Sequence, residues 1–306
     1  MHCEEKCGMD ILILAEEFYQ YSLSIRGYSK ATIRRYTFVI NNFCKLTGIT
    51  KLHEVTEANV QSLFFLGRTH RKWTTQTYLV YRHSLLVFFR WCVKRRLLES
   101  NPVAAIEAPK LEKRLPKGLT KENAFRILEV VYNYPYEKSF LRYRDHAIFA
   151  MFVYAGLRKQ ELLNLKLTDV DLNNYTIFIQ QGKGNKDRIV PISFSLAQIL
   201  QRYLEARKKL NRTCPEFFAS SHRNVRYTNS GLKRLVKVIE QSSGIPFTIH
   251  RLRHTFATLM IEGGCDIYSL SKMMGHSDIK TTTIYLSASV EHLRSQIRKH
   301  PLNIQI

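Results

Sequence analysis

Residues 175–192 read YTIFIQQGKGNKDRIVPI, and they interrupt a chain whose apolar residues otherwise recur at helical intervals. Two runs rich in β-branched and aromatic residues, 175–179 and 188–192, flank the segment from Gly182 to Asp187, whose two glycines and Asn185 suit a hairpin tip. A small sheet is therefore expected within a mainly helical fold. Upstream of it, spacing predicts helices at about 121–132 and 139–153, then Gly156 and a polar-faced helix from Arg158. Downstream, further helices are expected at about 196–210, 231–241, 252–261, 267–273 and 290–298.

Further towards the start, residues 107–118 read EAPKLEKRLPKG. Two prolines, a run of basic residues and few large apolar ones mark an exposed linker. Before it the helical period returns. One helix covers about 11–21, and a second begins after the cap Ser29 and ends before Gly48. Thr56 caps a third, and a fourth is predicted from about Thr74 to Leu98, stopped by Asn101-Pro102. Four helices with short loops make a bundle. The fold class is thus mainly α with a small β-sheet: a four-helix bundle over residues 1–106, a linker over 107–118, and an α+β domain over 119–306.

The chain has 306 residues, 45% apolar and 11% aromatic, which is enough to bury two cores and excludes general disorder. No apolar run approaches the ~20 residues of a membrane span, and the start lacks the basic region of a signal peptide. A soluble cytoplasmic protein without a membrane partner is expected. Six scattered cysteines without a repeated CxxC argue against a disulfide framework or zinc ribbon, and His2, Cys3 and Cys7 read as a coincidence near a terminus. No cofactor or metal is expected.

Lys and Arg number 47 against 25 Asp and Glu, a net charge of +22. Residues 1–110 hold 16 basic and 9 acidic residues, the remainder 31 and 16, so both halves are basic. Membrane binding is normally concentrated in one amphipathic helix or terminal cluster, whereas charge spread over two domains fits a protein that wraps a phosphate backbone. In the first domain Arg68, Arg71, Lys72, Trp73, Arg82, His83 and Lys94-Arg95-Arg96 form, as a group, a candidate phosphate-binding face.

Three polar clusters in the second domain can carry chemistry. AGLRKQELLNL (155–165) places Arg158 and Glu161 one helical turn apart. HRLRHTFAT (250–258) does the same for His250 and Arg253. GHSDIKTTTIY (275–285) contains His276 and Tyr285. Two arginines, two histidines, a lysine in the hairpin and a tyrosine are the groups that phosphodiester transesterification without metal requires. Guanidinium forks match the non-bridging oxygens of a phosphate whose charge grows in the transition state. A tyrosine oxygen can attack phosphorus to form a covalent ester, while lysine or histidine moves the protons.

The order and spacing of AGLRKQELLNL, GKGNKDRIVPI, HRLRHTFAT and GHSDIKTTTIY resemble those of the tyrosine recombinases, the lambda-integrase-type site-specific recombinases that include the Xer proteins. The resemblance spans nearly the whole chain. It implies that Tyr285 is the nucleophile that forms a 3′-phosphotyrosyl bond and frees a 5′-hydroxyl, and that Arg158 and Arg253 clamp the scissile phosphate. It further implies Lys183 as general acid, with Lys186 as its alternative, His250 as the proton-handling histidine and His276 as a hydrogen-bond donor to the phosphate. Glu161 is expected to orient the cluster by pairing with an arginine or histidine; His254 receives no role. The bundle becomes a core-binding domain, 119–306 the catalytic domain, and 290–298 an exchange helix that packs into a neighbouring protomer. The implied partners are a double-stranded DNA core site and other protomers, as a homotetramer on paired sites with or without a second recombinase.

Overall fold

The computed structural model describes residues 8–110, 118–180, 187–275 and 280–283. The chain folds into two compact units, Met1–Lys113 and Arg114–Ile306. Among the described residues the first holds four α-helices, α1 (Ile11–Ser24), α2 (Lys30–Thr47), α3 (Glu57–Thr69) and α4 (Thr75–Lys94). Their starts follow local chemistry: Ser29, Thr56 and Thr74 each accept a hydrogen bond from a first-turn amide with the side-chain oxygen. Phe18, Tyr36, Phe43, Phe88 and Phe89 are fully buried between the helices. Phe18 sits 5.4 Å, ring centre to ring centre, from both Tyr36 and Phe88.

Helix α4 ends four residues earlier than the apolar stripe suggests. The Arg95 amide donates to the Trp91 and Cys92 carbonyls and Arg96 takes a left-handed φ of 59°, so Leu97 and Leu98 pack against the core from outside the helix.

In the second unit α5 (Lys121–Asn133) and α6 (Ser139–Tyr154) are followed by the short α7 (Lys159–Asn164). Every residue of α6 from Ala147 to Val153 is buried, the mark of a helix enclosed on all sides. It packs against α5, α8 (Phe194–Lys209) and α10 (Ile249–Glu262). The sheet has three antiparallel strands in the order β1 (Val170–Asp171), β2 (Thr176–Ile179) and β3 (Arg188–Pro191), with Ile177 opposite Val190 and Ile179 opposite Arg188. Two strands were legible from periodicity; β1, two residues long, is too short to carry a period. Helices α9 (Asn229–Ser243), α10 and α11 (Ile267–Met274), and the short α12 (Lys280–Thr283), complete the described part.

Helices α9 and α10 begin two and three residues ahead of the sequence expectation. The caps are Thr228 and Thr248, which accept from the amides of Gly231 and Arg251, and the shift makes His250 part of α10. Among the described residues no helix is long and apolar enough to cross a membrane.

Candidate active site

The turn from α6 into α7 is built around Gly156. Its φ is +60°, and a Cβ there would lie 2.2 Å from Cδ1 of Phe256 in α10, so both backbone and space demand glycine. The turn brings Arg158 to the start of α7 and leaves the Gly156 carbonyl facing α10, where it accepts from Arg253 Nη1. Arg253 lies three residues after His250 on α10; Arg253 is buried, His250 exposed.

Helix α11 ends at Gly275 in the left-handed conformation. Three guanidinium groups converge on this end. Arg188 Nε donates to the Met273 carbonyl at 2.8 Å, Arg253 Nη2 to Met274 at 2.6 Å, and Arg158 Nη2 to Gly275 at 2.7 Å. The last carbonyls of a helix lack intrahelical partners and carry the negative end of its dipole, so three successive acceptors suit three cations.

Glu161 ties two of these arginines together. Its Oε1 accepts from Arg158 Nη1 and Arg188 Nη1, both at 2.8 Å. Its Oε2 accepts from Arg188 Nη2 at 2.8 Å and from the Arg158 amide at 2.7 Å. Glu161 and Arg188 are nearly enclosed, with side chains 7% and 8% exposed, whereas Arg158 keeps 21%. Burial alone would raise the carboxyl pKa, but a hydrogen bond and charge from Arg188, then hydrogen bonds from the Arg158 amide and side chain, outweigh it and hold Glu161 down at about 2. His254, one turn beyond His250, is shifted down by burial, with His250 and Arg253 adding to the effect.

The structure therefore brings Arg158 and Arg253 onto neighbouring carbonyls of one turn, and pairs Glu161 with arginines. Lys183, Lys186, His276, Tyr285 and the 290–298 segment lie outside the described residues. Sequence reasoning missed Arg188. The signal was its phase: Arg188 alternates with Val190 and Ile192, both buried, while the intervening Ile189 is 61% exposed. An arginine on the inward side of a strand requires an enclosed acceptor.

In the first unit Arg71, Lys72, His83 and Lys94–Arg96 are exposed. Arg82 is only half-buried and donates from Nε to the Ile106 carbonyl at 2.5 Å, which fastens the end of the unit to α4. Arg95 lies over the Trp91 ring and pairs with Glu17 at 3.3 Å.

Comparison with known proteins agrees with this architecture. The phage integrase family model matches residues 117–292, and that of the phage integrase N-terminal SAM-like domain matches residues 14–99. Tyrosine recombinase XerA of Thermococcus kodakarensis is 34% identical, over 94% of this chain and 95% of its own. The crystal structure of XerA recombinase superimposes with a TM-score of 0.53 at 27% identity, covering 95% of this chain and 99% of that one. The structure of XerH site-specific recombinase bound to a palindromic difH substrate, a post-cleavage complex, shares the fold with a TM-score of 0.72 at 22% identity, covering 93% and 84%. The chain belongs to the phage integrase family, as a Xer-like tyrosine recombinase, an enzyme of site-specific DNA cleavage and rejoining.

Proposed function

We propose that this recombinase cuts and rejoins duplex DNA core sites by transesterification without a metal, with its domains divided as 1–106 for core binding, 107–118 as linker and 119–306 for catalysis. Tyr285 Oη attacks the scissile phosphorus, the bond to the 5′-oxygen breaks, and a 3′-phosphotyrosyl ester and a free 5′-hydroxyl result. Lys183 protonates the departing 5′-oxygen, His250 handles the tyrosine proton, and His276 donates to a non-bridging oxygen. Arg158 and Arg253 clamp the other oxygens. Attack by a 5′-hydroxyl from the partner strand reverses the step and joins the new pair, regenerating Tyr285. Exchange between two duplexes needs four such sites, which fits a homotetramer on paired sites acting in the cytoplasm, with or without a second recombinase.

The observation that carries this reading is the convergence of Arg158 and Arg253 on the Met274 and Gly275 carbonyls, directly before the segment 276–285 with its histidine and tyrosine. Two forks anchored on one turn are fixed relative to each other before substrate arrives, as electrostatic stabilisation of a developing charge requires. The test is a nicked suicide substrate with excess EDTA present. Wild-type protein forms a covalent protein–DNA species; Tyr285→Phe binds the duplex but forms none, and Arg158→Ala forms it roughly 10²-fold more slowly. A covalent species with Tyr285→Phe, or wild-type cleavage abolished by EDTA and restored by magnesium with binding intact, refutes the proposal.

A further inference from the structure

The geometry points to Arg188 as a positioning residue for Arg158: it holds both of the groups that fix the Arg158 guanidinium. One is Glu161, gripped through both carboxylate oxygens by Arg188 Nη1 and Nη2, with Oε1 shared with Arg158 Nη1. The other is the end of α11, where Arg188 Nε holds the Met273 carbonyl, two residues before the Gly275 carbonyl that accepts from Arg158 Nη2. The contacts close a ring from Arg188 through Glu161 and Arg158 to Gly275 and back along the backbone to Met273.

The ring is enclosed at Arg188 and Glu161 and opens to solvent at Arg158, so the buried members brace the member that meets solvent. Gly275 serves the same contact: a Cβ at this left-handed position would lie 2.9 Å from Cδ and Nη1 of Arg188, and the side chain passes close against the turn because none is there. Arg188 begins β3, and strand pairing fixes its backbone, with Arg188 opposite Ile179. A side chain that presents three N–H groups in one plane makes all these contacts at once, which lysine, with a single point donor group, does not.

The inference rests on the proposal that Arg158 clamps the scissile phosphate, and it commits to a route. Arg188 does not meet the DNA; its loss lets the Arg158 guanidinium move, and misplacement by about 1 Å costs up to roughly 10²-fold in rate. Single-turnover cleavage is compared for wild type, Arg188→Met, Arg188→Lys, Arg158→Ala and the double variant Arg158→Ala/Arg188→Met. Three scissile linkages are used: phosphodiester, methylphosphonate and 5′-bridging phosphorothiolate. On the phosphodiester, Arg188→Met is expected to be roughly 10-fold slower or more, with duplex affinity within about 2-fold of wild type. Methylphosphonate carries no charge on its non-bridging atoms, so the deficits of Arg158→Ala and Arg188→Met should shrink together there.

Sulfur removes the need for a general acid and should relieve neither variant. The double variant should be no slower than Arg158→Ala alone, since a residue that acts only through Arg158 has nothing left to position. Arg188→Lys keeps the charge and serves if Arg188→Met does not fold; it should show the same pattern of relief. Additive losses, relief by sulfur, or cleavage at the wild-type rate by either folded variant overturns the assignment of Arg188. Wild-type cleavage by Arg158→Ala instead overturns the clamp itself, so the two failures are distinct.

Discussion

Replacing Glu161 by glutamine keeps the side chain's volume and one carbonyl acceptor but removes the negative charge that Arg158 and Arg188 share. Two routes give the size of the loss. Held at about 2 against an ordinary 4.5, the carboxylate adds roughly 3 kcal/mol to stability at neutral pH. Independently, removing one partner of a buried ion pair costs roughly 3–5 kcal/mol because the remaining charge stays buried, and Arg188, 8% exposed, is that remaining charge. Because the folded pKa is depressed, the contribution is fully present above the unfolded value and is lost as pH falls from about 4.5 towards 2.

The assay must read the second unit, and the two tryptophans, Trp73 and Trp91, both lie in the first. Amide hydrogen exchange of peptides covering 139–165, in full-length wild type and Glu161→Gln, reports the right region, while tryptophan fluorescence serves as an internal control. The expected difference is about 3 kcal/mol at pH 7, narrowing below pH 4.5 as the carboxyl of the unfolded wild type takes up its proton. Because only the difference is read, acid effects common to both proteins cancel. A difference under about 1 kcal/mol at pH 7, or one that stays constant from pH 6 to pH 3, refutes the reasoning.

Two other outcomes are expected. Gly156→Ala puts a Cβ against Phe256 at a left-handed backbone position, costing about 1–2 kcal/mol for the conformation and 1–3 for the overlap; denaturant unfolding followed by circular dichroism should record roughly 2–5 kcal/mol. His146 is held down at about 4 by burial and by the nearby Arg202, so it is neutral in the folded protein and stabilises it above the unfolded value of 6.5. That contribution, at most roughly 3 kcal/mol, should be lost between pH 6.5 and 4, and His146→Gln should flatten the stability profile in that window; an unchanged slope would contradict the assignment.

Element types were legible where the signal is local. Ser29 and Thr56 announce α2 and α3 because a hydroxyl placed before an amphipathic run satisfies amides that no helix can. Thr228 and Thr248 do the same chemistry, but the first turns after them, Asn229-Ser230-Gly231 and Ile249-His250-Arg251, are mostly polar, and the apolar stripe that sequence reading follows is sustained only from Leu232 and Leu252. The site was half legible for a related reason. Arg158, Glu161, His250 and Arg253 recur at one-turn spacing within single helices, a pattern visible in one dimension. Arg188 meets Glu161 across 27 residues and Met273 across 85, and only the phase of its strand hints at an inward side chain.

The arrangement also explains why each of the three arginines leans on a backbone carbonyl. Among the described contacts Arg158 and Arg188 share one carboxylate, Glu161, and each of the three guanidinium groups donates to a carbonyl at the end of α11, which supplies only the partial charge of the helix terminus. A phosphodiester carries one negative charge, and in the proposed reaction a second develops as Tyr285 adds. Had each arginine its own carboxylate, the guanidinium charges would be cancelled and the second phosphate charge would form against a neutral site. Neutral carbonyls fix direction without consuming charge, because a hydrogen bond to a carbonyl orients a guanidinium and leaves its net charge intact. Glu161, shared between Arg188 and Arg158, sets one negative charge against two positive ones, so the pair keeps a net positive charge for the transition state.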